Sequence, residues 1–400
     1  DDTPIIIEET TIIQNGGETG SGTTVVNVTG AITENTTWTN DNIYKLNQKV
    51  VVDAGTTLTI EAGTIIQGTP GTGSLASALI IARGSKINAV GTPSQPIIFT
   101  SSTDNIEIGE TAGTNLDEND RGLWGGLIIL GNAPCSFSGD IVEAQIEGIP
   151  ADDTFGLYGG TDPEDNSGVV SYISIRHGGA LIGEGNEING LTLGGVGNGT
   201  IINNIEVVAN VDDGIEFFGG TVNASNLLVW AQGDDALDID QAYSGTIDNA
   251  LVILGDFSDH AFEIDGPEGS ATGSFSLQNA TIIGNTTTEN GEYADYRSGA
   301  TGTTNNIYAY GFKASSDVEL DNDGVATNYN DGQLIFGTWE LVLPEGVTDV
   351  TSLFVNKADN VSVTDFGVTA SAITEGENTV GANTSSLSWT YSNDAGSLNF

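Results

Sequence analysis

Residues Gly199 to Gly266 carry one six-residue pattern three times, as Asp212-Asp213-Gly214-Ile215-Glu216-Phe217, Asp234-Asp235-Ala236-Leu237-Asp238-Ile239 and Asp259-His260-Ala261-Phe262-Glu263-Ile264. The copies begin at residues 212, 234 and 259, which are 22 and 25 residues apart. A column of asparagines runs in step, and a short apolar segment follows each of them: Asn204, Asn226, Asn249, Asn279 and Asn306. Repeats with a period of about 20 to 50 residues indicate a stacked array of similar structural units.

The residues within each repeat decide which kind of array this is. Short runs rich in Val, Ile, Leu and aromatic residues alternate in polarity, and Gly, Asn and Asp separate them. This pattern is typical of β-strands joined by turns, and no segment has the 3.6-residue period of an amphipathic helix. The signature of leucine-rich repeats, which have a similar period, is missing. The sequence therefore predicts an all-β fold, a right-handed parallel β-helix in which each repeat forms one turn of a solenoid.

Alternation along each strand predicts which side chains face the core, because successive side chains point to opposite faces. The two apolar columns of the three copies are expected to stack inside: Ile215, Leu237 and Phe262, and then Phe217, Ile239 and Ile264. Glu216, Asp238 and Glu263 then form one outward ladder. The asparagine column is expected at a sharp corner, because Asn tolerates the left-handed conformation and stacked side-chain amides can bond from turn to turn.

The domain organisation follows from the solenoid, which grows by adding turns, so 400 residues do not imply several domains. We expect a single domain over residues 24–400, with the repeat core at about 168–312. Caps are expected at the N- and C-terminal ends, because an exposed terminal strand invites pairing with another chain. Residues 1–23 are expected to form a flexible tether. Acidic loop insertions are expected at residues 101–120, 150–167 and 313–330.

Composition argues against two classes of partner. The chain has 9 basic and 55 acidic residues and a formal net charge of −46, which disfavours nucleic acid and anionic membrane surfaces. The sequence has no methionine and no apolar run near the roughly 18 residues of a membrane-spanning helix. We therefore expect a processed, extracytoplasmic chain that meets a membrane only through a lipid anchor upstream of residue 1. The single cysteine, Cys135, is expected to be a buried free thiol.

Several phrases of the sequence resemble those of one known family. They are Thr56-Thr57-Leu58-Thr59-Ile60-Glu61-Ala62-Gly63-Thr64, Arg121-Gly122-Leu123-Trp124-Gly125-Gly126-Leu127-Ile128, Arg176-His177-Gly178-Gly179, Asn186-Glu187-Ile188-Asn189-Gly190-Leu191-Thr192-Leu193 and Asp212-Asp213-Gly214-Ile215-Glu216-Phe217-Phe218-Gly219-Gly220. The family comprises secreted or lipid-anchored right-handed parallel β-helix proteins of Bacteroidetes and other Gram-negative bacteria, mostly uncharacterised. The resemblance runs from about Thr24 to the C-terminal end. It implies the fold and a location at the outer-membrane surface or outside the cell, and it says little about activity.

The repeated acidic columns are the candidate functional site. Adjacent strands lie about 4.8 Å apart, and like charges at that distance repel by roughly 1 kcal/mol per pair even in water. Ca²⁺, which takes six to eight oxygen ligands, is the cation best suited to offset this repulsion. The candidate ligands are Asp212, Asp213, Glu216, Asp234, Asp235, Asp238, Asp240, Asp259, Glu263 and Asp265.

Two other interpretations of these columns stay open. Arg297, which is expected to fall in column with Asp240 and Asp265, is an alternative counter-charge. The first aspartate of each copy can instead end a turn by accepting a hydrogen bond from a nearby backbone N–H group; these residues are Asp212, Asp234 and Asp259.

Three similar turns without one distinctive site favour a non-enzymatic role. We expect a calcium-binding module that binds glycans or other cell-surface proteins. Trp230, Tyr243 and Arg297 are candidate ligand contacts; exposed rings near the ladder would favour stacking on sugars, and buried rings would be core. A different class of function, a subunit of an extracellular fibre or surface assembly, is a further alternative.

The enzymatic alternative is a calcium-dependent polysaccharide lyase or a glycoside hydrolase. A lyase needs a base, and the candidates are Arg297, His260, Arg176, His177 and Lys313. The net charge would repel an acidic glycan, and the Arg176-His177 pair is expected to be buried and hydrogen-bonded at a strand end. A hydrolase needs two carboxyl groups at a defined separation, which stacked turns provide at many positions, so this test does not discriminate.

Overall fold

The structure, a computed structural model, describes residues 24–147, 149, 154–183, 186–288 and 290–400. The predicted tether at residues 1–23 lies outside this described part, as do Asp152 and Asp153 of the predicted acidic loop at 150–167.

The described part of the chain is built from β-strands. They are β1 (Thr24–Ile32), β2 (Thr36–Trp38), β3 (Asn42–Val52), β4 (Thr57–Ile60), β5 (Ile65–Gly68), β6 (Ala78–Ile81), β7 (Lys86–Val90), β8 (Ile97–Ser101), β9 (Leu127–Leu130), β10 (Ala144–Gln145), β11 (Leu157–Tyr158), β12 (Gly168–Arg176), β13 (Leu181–Gly183), β14 (Asn186–Glu187), β15 (Leu191–Gly194), β16 (Ile201–Val208), β17 (Ile215–Phe218), β18 (Asn223–Trp230), β19 (Leu237–Asp240), β20 (Thr246–Ile253), β21 (His260–Ile264), β22 (Phe275–Ile283), β23 (Glu292–Tyr296), β24 (Gly302–Tyr310), β25 (Val318–Leu320), β26 (Leu334–Phe336), β27 (Trp339–Leu341), β28 (Phe354–Asn356) and β29 (Ala370–Ala372). One α-helix, α1 (Asp323–Asn330), and five short 3₁₀ segments accompany them: Gly73–Leu75, Ser138–Asp140, Thr154–Gly156, Val350–Leu353 and Thr384–Leu387.

Strand pairing divides each turn of the chain into three faces. The first face stacks the ends of β1 and β3 and then β6, β9, β15, β17, β19, β21, β23, β25 and β28. The second face stacks β2, β4, β7, the first halves of β12, β16, β18, β20, β22 and β24, and β26. The third face stacks the starts of β1 and β3, β5, β8, the second halves of the same six long strands, β27 and β29.

All of these pairings are parallel, and they join 25 strands of the described part into one sheet; the hairpins β10–β11 and β13–β14 are antiparallel additions. The predicted fold class, a parallel β-helix, is confirmed. None of the helices in the described ranges is long and apolar enough to span a membrane.

The asparagine column forms the corner between the second and third faces. Its members have left-handed backbones, with φ between 54° and 65°: Asn204, Asn226, Asn249, Asn279 and Asn306. The amide of Asn249 donates to Asn226 (2.7 Å), and that of Asn306 donates to Asn279 (2.9 Å). Each corner lets one long strand serve two faces. The left-handed backbone predicted for asparagine is observed at all five corners, and amide bonds from turn to turn are observed at two of the four steps between them.

The two predicted inward columns form the core. Ile215, Leu237 and Phe262 are 0% exposed, and Phe217, Ile239 and Ile264 are at most 1% exposed. Each large apolar side chain buried in this way contributes roughly 1.5–3 kcal/mol. Because the strands stack in register, this core fixes the opposite side chains of the first face in one column.

Residues 313–330 depart from the predicted acidic loop. They contain β25 and α1. The side chain of Asn322 accepts hydrogen bonds from the backbone N–H groups of Gly324 (3.1 Å) and Val325 (3.2 Å), which caps the first turn of the helix. Val325 is fully buried, so this short helix is held by its cap and by packing on the core.

Residues 377–400, which we call the C-terminal strap, run back along the third face. Thr379 donates to Glu340 of β27 through its backbone N–H and its hydroxyl, each at 2.6 Å, and Asn383 N–H donates to Asn249 (2.6 Å). Further along, Tyr391 and Ser392 reach Glu206 of β16. The strap covers an apolar patch on this face: Val208, Leu228, Trp230, Leu251 and Ile253. The sequence predicted a cap at the C-terminal end of the solenoid, whereas the strap covers the side of the solenoid.

Candidate metal centre

One column of acidic side chains follows the first face on the side opposite the core. Register pairs Glu216 with Asp238, Asp238 with Glu263, Glu263 with Asp295, and Asp295 with Glu319. We call these five residues the carboxylate ladder. The sequence predicted the first three, and Asp295 and Glu319 extend the column by two further turns.

The ladder points away from the core, and three of its five members are nevertheless buried. Glu216 is 6% exposed, and Asp295 and Glu319 are each 5% exposed. Burial, and then the charge of neighbouring carboxylates, raises the pKa of Glu216 and Asp238 well above the usual range. The same two causes raise the pKa of Asp295 to about 7. The ionised ladder is therefore under electrostatic stress unless a cation lies beside it.

A second column, formed by Asp213, Asp235 and His260, lies three positions before the ladder residues Glu216, Asp238 and Glu263 in the chain. Asp213 Oδ1 accepts a hydrogen bond from the Asp235 N–H (2.9 Å), and Asp235 Oδ1 accepts from the His260 N–H (2.8 Å). Between described residues, no hydrogen bond ends on the side chains of Asp212, Asp234 or Asp259. The backbone-bonding role predicted for the first aspartate of each copy therefore belongs to the second, and it links one turn to the next.

Three cationic side chains neutralise the C-terminal part of the ladder. His260 Nδ1 lies 2.8 Å from Asp235 and 3.7 Å from Glu263; burial alone would lower the pKa of His260, but the hydrogen bond and charge of Asp235 raise it to about 9. Arg297 pairs with Glu263 and, at 3.0 Å, with Asp265.

Lys357 completes this set from the segment that follows β28. Its Nζ pairs with Glu319 and lies 3.9 Å from Asp317. The backbone N–H of Arg297 donates to the carbonyl of Ile264 (2.8 Å), as the N–H of Asp265 donates to the carbonyl of Ile239 (2.7 Å). Arg297 therefore lies in the predicted column with Asp265. In this structure the alternative counter-charge forms its ion pairs in the C-terminal part.

The N-terminal part of the ladder has no such partner. Ligand atoms of Asp213, Glu216 and Asp238 lie within 4.8 Å of one another, and so do those of Asp212, Asp213 and Asp234. All nine lysines and arginines are in the described part of the chain, and none forms a salt bridge with these five carboxylates. Burial, and then neighbouring carboxylates, raises the pKa of Asp213 well above the usual range and that of Asp212 to about 7.

Two buried oxygen atoms in this part of the ladder lack a hydrogen-bond partner. They are Asn189 Oδ1 and Asp238 Oδ1. Asn189 is 1% exposed, and its Nδ2 donates to Glu216. A buried polar atom without a partner costs about 1–3 kcal/mol, and amide and carboxylate oxygens are ordinary ligands of Ca²⁺. The donor set therefore fits a hard divalent cation, and Asn189 is a member of it that the sequence prediction missed.

The other predicted ligands lie beside the ladder. Asp240 and Asp265 line an open cavity of about 510 Å³ together with Ser138, Glu268 and Ser298. Burial raises the pKa of Asp240 to about 7. Asp259 lies 4.0 Å from His260. The structure thus brings all ten predicted carboxylates to one face and divides them between a neutralised part and an unneutralised part.

The aromatic candidates for ligand contact are buried. Tyr243 is 1% exposed and its hydroxyl donates to the carbonyl of Val222 (2.7 Å). Trp230 is 7% exposed, and its ring lies 6.3 Å from that of Tyr391 in the C-terminal strap. Neither ring is available to stack on a sugar, so both are core residues.

The candidate bases are also engaged elsewhere. Arg176 and His177 are each 1% exposed; Arg176 Nε donates to the hydroxyl of Ser174 (2.7 Å), and His177 Nδ1 lies 2.7 Å from the carbonyl oxygen of Asp120. The prediction of a buried, hydrogen-bonded pair at the end of a strand is confirmed. Cys135 is partly buried and free, and burial raises the pKa of its thiol to about 12.

A parallel β-helix with an acidic first face is the class of protein that the fold and site define. The model of the pectate-lyase-like β-helix domain family matches residues 30–393. The chain therefore belongs to the pectate-lyase-like β-helix domain family. No curated protein matches the chain.

Among solved structures, a family 28 exopolygalacturonase of Yersinia enterocolitica is similar over 88% of this chain, with 11% sequence identity and a TM-score of 0.23. The chain spans 65% of the length of that enzyme chain. At this TM-score, nothing about activity follows from the similarity.

Proposed function

We propose that this chain is a non-enzymatic, calcium-binding β-helix module of the cell surface or the secreted fraction, which binds glycans or other surface proteins. The observation that supports calcium binding is the group formed by Asp213, Glu216 and Asp238: three carboxylates, the first two buried and the third half-buried, whose oxygens converge within 4.8 Å and form no salt bridge with a basic residue of the described part. At that spacing two unit charges repel by roughly 1 kcal/mol in water and by several kcal/mol at the lower effective dielectric of a protein. A divalent cation bound between the three carboxylates attracts each of them and so offsets their mutual repulsion.

The engagement of the basic side chains that a lyase would use supports the non-enzymatic part of the proposal. His260 is the imidazole nearest to the ladder, and the charge of Asp235 keeps it protonated at neutral pH by raising its pKa to about 9. A protonated imidazole cannot take a proton from a substrate. Arg297 is paired with Glu263 and Asp265.

A polysaccharide lyase or hydrolase is the second candidate, because the family description refers to pectate lyase. Incubation with alginate, pectate and neutral glycans tests it: a lyase gives unsaturated products, and a hydrolase gives new reducing ends without unsaturation. Either product in the wild-type protein, lost in a variant of the ladder, would replace the non-enzymatic proposal.

Calcium binding is tested by a thermal melt of metal-stripped protein in chelator and in Ca²⁺, with the bound metal counted in the same sample. A ligand that binds only the folded state stabilises it by about 2.7 kcal/mol at a hundred times its Kd. We therefore expect a clear rise of the melting temperature in Ca²⁺. An unchanged melt together with no bound metal would refute calcium binding.

A further inference from the structure

We propose that the carboxylate ladder takes one calcium ion, at its N-terminal end, between Asn189, Asp213, Glu216 and Asp238, and that Arg297 and Lys357 hold the corresponding positions at the C-terminal end. The proposal rests on the calcium-binding function proposed above. It adds the position of the ion, an uncharged ligand atom, and the reason why the C-terminal carboxylates bind no ion.

The case for the N-terminal end begins with Asn189. The side chain lies one turn before Asp213, since the N–H of Gly190 donates to the carbonyl of Asp213 (3.0 Å). Its Nδ2 donates to Glu216, which holds the amide against the carboxylates, and its Oδ1 has no partner although the residue is 1% exposed. Asp238 Oδ1 is buried and unpartnered in the same group. A cation between these side chains would satisfy both oxygens.

The C-terminal end shows what a cation does in an equivalent place. Ligand atoms of Glu292, Asp317 and Glu319 also converge within 4.8 Å. There the ammonium group of Lys357 contacts Glu319 and lies 3.9 Å from Asp317. Lysine presents a compact point charge on a flexible stem, so it can neutralise several carboxylates from one position.

Arg297 serves the middle of the ladder in the same way, since it pairs with Glu263 and lies 3.0 Å from Asp265 and 3.7 Å from Asp295. A metal ion placed beside either basic group would be repelled by it at close range, by roughly 1 kcal/mol per unit charge in water and more where the site is buried. The ladder is therefore divided into an end that needs a metal and an end that does not.

The test is equilibrium dialysis of the full chain against Ca²⁺, with bound metal counted, and a calorimetric titration of each variant with Ca²⁺. Wild type is expected to hold one ion. Asn189→Ala and Glu216→Gln are expected to weaken Ca²⁺ affinity at least about tenfold. Glu263→Gln is expected to change it by about twofold, because the charge of Glu263 is already paired with Arg297. Asp248→Asn, which removes a carboxylate of the second face, is the matched control and is expected to have no effect.

The opposite end is tested by removing its cation. Lys357→Gln is expected to raise the count from one ion to two, because Asp317 and Glu319 then lose their salt-bridge partner. Lys86→Gln, an exposed lysine of the second face, is its control and is expected to leave the count at one. Melts in chelator report folding, and Glu216→Gln is expected to melt at or above wild type there, since it removes a buried charge.

Two outcomes would overturn the proposal while calcium binding itself stands: equal weakening by Glu216→Gln and Glu263→Gln, or a Lys357→Gln protein that still holds the wild-type number of ions. Wild-type protein that binds no Ca²⁺ at all would refute the calcium-binding function as well.

Discussion

Glu206 gives the sharpest prediction about stability. It is 0% exposed and lies where the C-terminal strap meets β16. Its Oε2 accepts from the Ser174 hydroxyl (2.6 Å) and the Tyr391 N–H (3.1 Å), and its Oε1 accepts from the Ser392 N–H (2.8 Å) and hydroxyl (2.7 Å). One buried carboxylate thus serves four donors.

The substitution Glu206→Gln replaces one of these oxygens by an NH₂ group, which cannot accept. Two donors then lose their acceptor, and hydrogen bonds to charged groups contribute about 1.5–3 kcal/mol each. The fully buried Arg176, whose guanidinium lies 4.3 Å above the Tyr391 ring, also loses the nearby negative charge. We expect strap opening to become easier by at least about 3 kcal/mol, which is a factor of about 100 in its equilibrium.

The assay is amide hydrogen exchange at Tyr391 and Ser392, because a stacked array need not unfold in one step and global melts would average over its turns. Glu34→Gln, an exposed residue far from the strap, is the control for the lost charge and is expected to leave exchange unchanged. An increase of less than about fivefold in Glu206→Gln would show that the carboxylate does not hold the strap.

Two further predictions follow from the corner and from the ladder. Asn306→Val is expected to lower stability by about 2 kcal/mol more than Asn306→Gly, because a β-branched residue is strained at φ 58° whereas glycine is not; equal melting temperatures of the two variants would contradict this. In chelator the protein is expected to be more stable at pH 5.5 than at pH 8: burial raises the folded-state pKa of Asp212 and Asp240 to about 7 from an ordinary 3.8, so the folded state binds the extra protons and this stabilisation is lost as the pH rises through 7. Melts across this range check the sign, and Ca²⁺, which binds the ionised carboxylates, is expected to reduce the dependence.

The repeated columns made most of the fold predictable from the sequence. The period, the alternation around Ile215, Leu237 and Phe262, and the asparagine corners are local patterns, and each specifies one feature of the same turn. Helix α1 was missed because eight residues are too few to show a period, although Asn322 is an ordinary N-cap residue.

The site was only partly predictable because its ends lie outside the repeated phrase. Asp295 and Glu319 keep the pattern of an acid between apolar neighbours, in Ala294-Asp295-Tyr296 and Val318-Glu319-Leu320, but longer loops precede them and the paired aspartates are absent. Lys357 comes from beyond α1, at a distance in sequence that no local pattern encodes. Phe137 and Tyr158, which lie outside the repeated columns, pack near Phe218 on the first face, and periodicity does not describe such contacts.

The C-terminal strap changes how the array behaves as a whole. In a plain solenoid each unit touches only its neighbours, so turns can form and fray one after another. Here the strap joins Tyr391 to Glu206, 185 positions away, and its Asn383 N–H reaches Asn249 across 134 positions. Contacts of that span slow folding and raise cooperativity. Residues of the strap, which are made after those turns, thus complete their packing, and a chain that stops short of Tyr391 keeps an uncovered apolar side.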